Sequence, residues 1–294
     1  METRSLKFIA DACGAEIRSG NAATPINGIR TDSRLVQAGD LFLALRGERF
    51  DGHDFITEVA ARGVTAVLVE KSTVPSPLPP CAVLIVDNVR VAYGKIAAAY
   101  RRQFDLSVIA VGGSNGKTTV KDLITSVLRQ KFSTLGSEAS FNNDIGVPAT
   151  LLWLDQTQQA AVLEVGTNHP GELAPLVKLV QPKFGVITNI GREHLEFFGD
   201  LAGVAQEEGE LAELLPADGK LFLNGDSEWT EKIVARTQAQ VVRVGFGEKN
   251  DWRVKSVRMD KNGVTFQITA LDEKFAGEYR INLLGRHQVA NALL

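Results

Sequence analysis

Residues 108 to 124, VIAVGGSNGKTTVKDLI, pass from an apolar run through Gly112, Gly113, Ser114, Asn115 and Gly116 to Lys117-Thr118-Thr119 and back to an apolar pattern. Glycine tolerates the dihedrals that let successive backbone N–H groups curl round a phosphate, and a helix N-terminus placed just after them adds a favourable dipole. A lysine there reaches the β- and γ-phosphates, and the hydroxyl that follows suits magnesium, as in a P-loop. ATP is therefore the expected ligand, held by Gly113, Ser114, Asn115, Gly116, Lys117, Thr118 and Thr119. The match to G-x-x-x-x-G-K-[ST] is incomplete, because Val111 stands where the first glycine falls. An ordinary glycine turn before an amphipathic helix is the plain alternative.

A phosphate loop positions phosphates without saying where the γ-phosphoryl group goes. Two further groups stand close to the ends of apolar runs: Glu164 in AVLEVGTNHPGEL, and His194 in VITNIGREHLEFFGD. Strand ends are where a parallel sheet opens its ligand crevice. Carboxylate, imidazole and the Thr118 hydroxyl round a triphosphate would suit one or two magnesium ions, although imidazole is an unusual ligand for a hard cation. Taken singly, Glu164 reads equally well as a capping or salt-bridged residue, and His194 as a structural one.

The elements that must position these groups follow from periodicity. Leu6, Ile9, Ala10 and Cys13 recur at helical spacing, residues 40–45 read as a buried strand, HDFITEVAARG as a helix stopped by Gly63, and VTAVLVE as a strand. KSTVPSPLPP, residues 71–80, carries four prolines in ten residues and reads as a linker. Beyond it come a strand at 83–86, a helix through AYGKIAAAYRRQF, strands at 106–111, 161–165 and 184–188, and helices from 117 and 203. Strands alternating with helices imply parallel crossovers. From 251 to 283 two strands flank Asn262-Gly263, a hairpin signal, and LLGRHQVANALL starts a helix still periodic at Leu294, which suggests a truncated chain. The expected fold is α/β, with a small N-terminal α/β domain at 1–82 and a central P-loop domain at 83–294. The latter has a mostly parallel sheet and an antiparallel β appendage.

The composition is that of an ordinary globular protein: 294 residues, 44% hydrophobic, 23% charged, net charge −3. No basic patch denser than Arg101-Arg102 is present, so neither nucleic acid nor a membrane surface is an expected partner, and no apolar run is long enough for membrane insertion to be expected. Cys13 and Cys81 are too few for a disulfide framework, and no signal peptide or spanning run is found. A cytoplasmic monomer is the expectation.

Four segments in order, VGGSNGKTT, LEVGTNHPGEL, ITNIGREHLEFFGD and LGRHQVANAL, resemble the Mur ligases of peptidoglycan synthesis. Within that family SFNNDIGVP (140–148) and GTNHPGE (166–172) look like the member that adds D-alanyl-D-alanine. TDSR (31–34), GDLFLALRGE (39–48) and DGHDF (51–55) resemble its UDP-binding N-terminal domain. The resemblance implies an ATP-dependent amide ligase acting on UDP-N-acetylmuramoyl-tripeptide and D-alanyl-D-alanine through an acyl phosphate, with Mg2+. It implies Lys117 on the phosphates, and Thr118, Glu164 and His194 at the metal. His287 and Asn291, one turn apart, match contacts to the adenosine end; a polar surface strip is the alternative. Ser33 and Arg34 match the UDP site, where Arg34 would otherwise be read as a surface ion pair. Asn142, Asn143, Thr167 and Asn168 match peptide-binding loops, though asparagine is also common in plain turns.

Departures from the family pattern are informative. Many members carry, a dozen or so residues past the histidine, a lysine carboxylated by carbon dioxide, and here GVAQEEGEL aligns Glu208 with it. Glu208 is therefore expected as a catalytic metal ligand without a need for bicarbonate, with Glu207 or Glu210 in its place if the alignment slips. A solvated acidic helix face is the alternative, since four glutamates fall between 207 and 213. Arg192 and Gln288 also depart and receive no role. Family members end in a third, Rossmann-like domain, which is absent from this chain, so the chain alone is expected to be inactive. Rival readings are another Mur-type or folylpolyglutamate-type ligase, or a non-catalytic nucleotide-binding module.

Overall fold

A computed structural model describes residues 1–47 and 49–294; Glu48, the last residue of the GDLFLALRGE segment, lies outside the described residues. The chain begins with β1 (Arg4–Ser5) and α1 (Leu6–Cys13). The helix buries Leu6, Ile9, Ala10 and Cys13 as their spacing requires. Ser5 Oγ caps it by accepting from Phe8 N, and Gly14 at φ +73° ends it. Next come β2 (Glu16–Ser19), β3 (Pro25–Ile26), β4 (Gly28–Arg30), β5 (Asp40–Leu43), α2 (Ile56–Ala61), β6 (Ala66–Glu70), β7 (Ala82–Val86) and α3 (Val89–Arg101). The sheet order is β2-β7-β6-β5-β4, with β2 antiparallel to β7 and the other pairs parallel. Phe42, Val67, Val69, Val83 and Ile85 form one core with Ile56 and Val59 of α2.

The second half runs β8 (Ser107–Gly112), α4 (Lys117–Leu128), β9 (Thr134–Gly136), α5 (Gly146–Leu151), β10 (Ala160–Glu164), α6 (Leu173–Val180), β11 (Phe184–Ile187), α7 (Leu195–Phe198), α8 (Leu201–Glu213), β12 (Lys220–Asn224), α9 (Thr230–Val234), β13 (Gln240–Gly245), β14 (Trp252–Asp260), β15 (Gly263–Ala270), β16 (Gly277–Ile281) and α10 (Arg286–Leu293). One sheet takes the order β16-β15-β14-β13-β12-β11-β8-β10-β9. The strands from β9 across to β14 are parallel; β14, β15 and β16 form the antiparallel appendage, with the Asp260↔Gly263 pair closing the expected hairpin. After β8 the chain builds β9 and β10 on one side, then crosses to β11 on the other. The carboxyl ends of β8, β10 and β11 thus meet where the winding changes direction, the place where α/β sheets bind ligands. The α/β class is as expected. Among the described residues, no helix is long and apolar enough to cross a membrane.

The domain boundary differs from the expected one at 82/83. The chain divides into one unit of Met1–Asp105 with Asp144–Gln156, and another of Leu106–Asn143 with Thr157–Leu294. Residues 82–86 are an interior strand of the N-terminal sheet, hydrogen-bonded between β2 and β6, not the first strand of the central domain. The proline-rich 71–80 stretch accordingly joins two neighbouring strands of one sheet instead of two domains. Residues 144–156 rejoin the first unit because α5 packs on α3. Fully buried Tyr100 secures that return, its hydroxyl donating to Leu154 O at 2.6 Å and accepting from Glu2 N at 2.8 Å.

Candidate active site

The loop after β8 has the shape its composition requires. Gly113 sits at φ +104° and Gly116 at φ +85°, the left-handed region open to glycine. A Cβ on Gly113 would also collide with Thr188 Oγ1 and the Thr188 amide. The loop is clamped to the segment after β11: Ser114 N donates to Asn189 O at 2.9 Å, and Ser114 Oγ exchanges hydrogen bonds with Gly191 O at 3.2 Å and Gly191 N at 2.9 Å. Asn189 pairs through its side chain with both backbone groups of Asn115, at 3.2 and 2.8 Å. Lys117 opens α4, and its Nζ donates to Gly113 O at 2.6 Å and Ser114 O at 3.2 Å, so the ammonium lies over the loop.

Acidic groups stand at the loop and at the first turn of α4. Glu164 ends β10 at 1% exposure; its Oε2 accepts from Thr118 Oγ1 at 2.9 Å and its Oε1 from Asn142 Nδ2 at 2.8 Å. Glu193 Oε2 stands 3.6 Å from Lys117 Nζ. Glu208 of α8 is wholly buried and accepts from Gly113 N through Oε2 at 2.5 Å. Burial pushes its carboxyl up to about 7, with Lys117 pulling it down and Glu193 pushing it further up. Its neighbours on α8 do other work. Glu207 accepts from Gly171 N and Leu173 N, both at 2.8 Å, at the start of α6, and Glu210 pairs with Arg236 at 2.7 Å. Of the three glutamates considered for the lysine's place, Glu208 is the one that touches the phosphate loop. The solvated acidic face is not what forms, since Glu207 and Glu208 are both buried.

Residues 111–294 match the Mur ligase middle domain, and residues 25–101 match the Mur ligase family catalytic domain. The chain belongs to the Mur ligase family. It is 37% identical over 285 residues to the UDP-N-acetylmuramoyl-tripeptide–D-alanyl-D-alanine ligase of Bacillus subtilis, covering 95% of this chain and 61% of that protein. Its fold superposes on MurF from Acinetobacter baumannii with TM-score 0.93 at 33% identity, covering 100% of this chain and 64% of that one. MurF from Thermotoga maritima in complex with ADP gives TM-score 0.81 at 28% identity, over 90% of this chain and 61% of that one. The chain thus spans less than two thirds of the length of these relatives.

The remaining expected site residues of this Mur ligase chain divide into two groups. Close to the loop lies Asn291, which packs against Gly116 and is tied to Gln288, its Nδ2 donating to Gln288 Oε1 at 3.0 Å; Gln288 had no expected role. Asn142 joins the site through Glu164, and its carbonyl accepts from Gly166 N at 2.9 Å. His194 is exposed, in a left-handed conformation at φ +45° that starts α7, and its ring has no hydrogen-bond partner among the described residues. His287 is exposed on α10. Thr167 Oγ1 donates to His169 O at 2.7 Å, and Asn168 N to Glu172 Oε2 at 2.8 Å, so both build a turn. Asn143 is exposed, next to Asn142. In the N-terminal unit Ser33 and Arg34 lie on a short 3-10 turn; Arg34, 81% exposed, forms the surface ion pair with Asp32 at 2.6 Å, which holds the Asp32 carboxyl at about 2.

Sequence reasoning passed over Thr188, Asn189 and Glu193. Their signal lies in T-N-I-G-R-E-H, the same stretch that supplies His194. Among the described residues no three His, Cys, Asp or Glu side chains gather closely enough to hold one ion. A cavity of about 460 Å³ is lined mostly by apolar side chains, among them Leu123, Val127, Phe132, Phe222 and Trp252, with Ser107, Gln159 and Asn291 as its polar members.

Proposed function

We propose that the protein containing this chain is an ATP-dependent amide ligase that joins D-alanyl-D-alanine to UDP-N-acetylmuramoyl-tripeptide, as a cytoplasmic monomer. The observation that carries this reading is the phosphate-shaped loop with Thr118 and Glu164 joined at 2.9 Å, in a chain whose relatives are named for that reaction.

A carboxylate is a poor acyl donor at neutral pH. Transfer of the γ-phosphoryl group to the tripeptide's terminal carboxylate gives an acyl phosphate and ADP; the dipeptide amine then attacks the carbonyl and expels phosphate. No nucleophile from the chain is needed. The loop amides and the Lys117 ammonium hold the transferring group and balance its charge. Thr118, Glu164 and Glu208 offer hard oxygens, and Glu208 Oε1 is buried without a partner, so these oxygens fit magnesium; the exposed His194 ring is not gathered with the two carboxylates. Magnesium, when bound there, supplies screening between the two anions that must approach. His287 and Asn291 take the adenosine end, Asn142, Asn143, Thr167 and Asn168 the peptide, and Ser33 and Arg34 the diphosphate of UDP. The third, C-terminal domain of such ligases would close over the nucleotide held at the loop.

The test is phosphate release by the full-length gene product. It is expected to require ATP, the UDP-muramoyl-tripeptide and D-alanyl-D-alanine together. Dependence on a different amino acid would point to another ligase of the superfamily, and no dependence on either acceptor to a nucleotide-binding module. Because Glu208 supplies its carboxylate directly, activity is also expected to be independent of bicarbonate and lost in Glu208→Ala. A strong bicarbonate requirement with an unaffected Glu208→Ala variant would refute that role.

A further inference from the structure

We propose that Glu193 is a metal ligand in its own right, and that Glu193 and Glu208 together hold a divalent cation beside Lys117. The inference deepens the reading of Gly113 to Thr119 as a nucleotide site and rests on it.

Three side-chain polar atoms are buried without a partner among the described residues, and two of them are Glu193 Oε1 and Glu208 Oε1. In each carboxylate the second oxygen is engaged at the same loop. Glu193 Oε2 faces Lys117 Nζ at 3.6 Å, and Glu208 Oε2 accepts from Gly113 N at 2.5 Å, while Lys117 Nζ itself donates to Gly113 O at 2.6 Å. Two carboxylates therefore stand at the phosphate loop, one against Lys117 and one against Gly113, each with one oxygen committed to the protein and one left over. A counter-ion for Lys117 would account for Glu193 Oε2 only. It leaves Oε1, in a side chain 13% exposed, without a function.

Charge makes the same demand. Lys117 is the cation shown at this loop, paired with Glu193 and bonded to two carbonyls. A triphosphate seated on the loop amides would add several negative charges next to two carboxylates in surroundings where water screens little. A divalent cation between phosphate and carboxylates removes that repulsion. Both spare atoms are hard oxygens of the kind Mg2+ takes, and one or two protein carboxylates with water and phosphate oxygens is its usual shell.

Manganese, which replaces magnesium and is spectroscopically visible, provides the test. Metal-stripped chain is titrated with Mn2+ in the presence and absence of ADP, and free Mn2+ is read by electron paramagnetic resonance. The wild type is compared with Glu193→Gln, Glu193→Asp and Glu208→Gln, with fluorescent-ADP binding and a thermal melt for each. The expected result is an Mn2+ affinity about tenfold or more weaker in all three variants, since aspartate keeps the charge but shortens the reach. Unchanged affinity in Glu193→Gln overturns the proposal. So does a loss in Glu193→Gln that Glu193→Asp fully restores, because Glu193 would then act through its field and not as a ligand. If Glu193→Gln loses its cooperative melt, Glu193→Asp decides alone. Failure of the wild type to bind ADP even with Mn2+ sinks the nucleotide reading, whereas normal ADP binding with unaltered Mn2+ affinity in the variants sinks this inference only.

Discussion

Glu208 shows how far one carboxyl's surroundings decide its behaviour. Its proton is held to about pH 7 in the folded chain, against an ordinary value of 4.5, so the folded state binds that proton more tightly than the unfolded state does. Glu208 therefore costs nothing below about pH 4.5, erodes stability as the pH climbs towards 7, and adds no further change above it. In metal-free buffer the melting temperature of Glu208→Gln relative to wild type should rise between pH 5 and 7.5, reflecting a wild-type loss of up to about 3 kcal/mol; parallel melting curves across that range would contradict the assignment. Gly113 makes a second prediction at this scale. Gly113→Ala places a Cβ against Thr188 in a backbone conformation that alanine adopts only with strain, and should cost about 1–3 kcal/mol while abolishing ADP binding by calorimetry. The glycines and Lys117 were legible because phosphate binding is a local pattern. Glu193 was not, since nothing in G-R-E-H says that the glutamate's side chain faces Lys117, 76 residues earlier in the chain.

The helix α8 sends adjacent glutamates to two destinations because successive helical residues point about 100° apart. Glu208 meets the phosphate loop, and Glu207 meets the first turn of α6. That turn has no side-chain cap of its own: Glu172, at the capping position, instead accepts from the amides of Asn168 and His169. Glu207 thus satisfies the first amide of α6, Leu173 N, and the Gly171 amide just before the helix, from 34 and 36 residues away. Glu207→Ala should lower stability by about 1–3 kcal/mol and leave Mn2+ affinity as it is, the reverse of Glu208→Gln in metal binding. Equal loss of Mn2+ affinity in both variants would show that α8 as a whole had shifted. Helical spacing announced α8 itself, but an i, i+1 pair of identical residues carries no mark of which neighbour each will find.

Across the whole chain, three crossings separate the two units, after Asp105, Asn143 and Gln156. A fragment of residues 1–82 would lack β7, which lies between β2 and β6, and α3, which packs on α1. It should show no cooperative melt by circular dichroism, whereas residues 1–105 joined to 144–156 by a short Gly/Ser linker should fold; a cooperative transition in the shorter fragment would restore the boundary at the prolines. Sequence alone determined the phosphate loop, the α/β class, the parallel central strands and the 260–263 hairpin. Each of these is written in glycine positions or in a period of two or 3.6 over a few neighbouring residues. Tertiary structure alone decided that 82–86 and 144–156 belong to the first unit, that Glu208 and not Glu207 reaches the loop, and that Glu193 stands beside Lys117. These are contacts between segments far apart in the chain, selected by which surfaces must be buried together, and no local pattern encodes them.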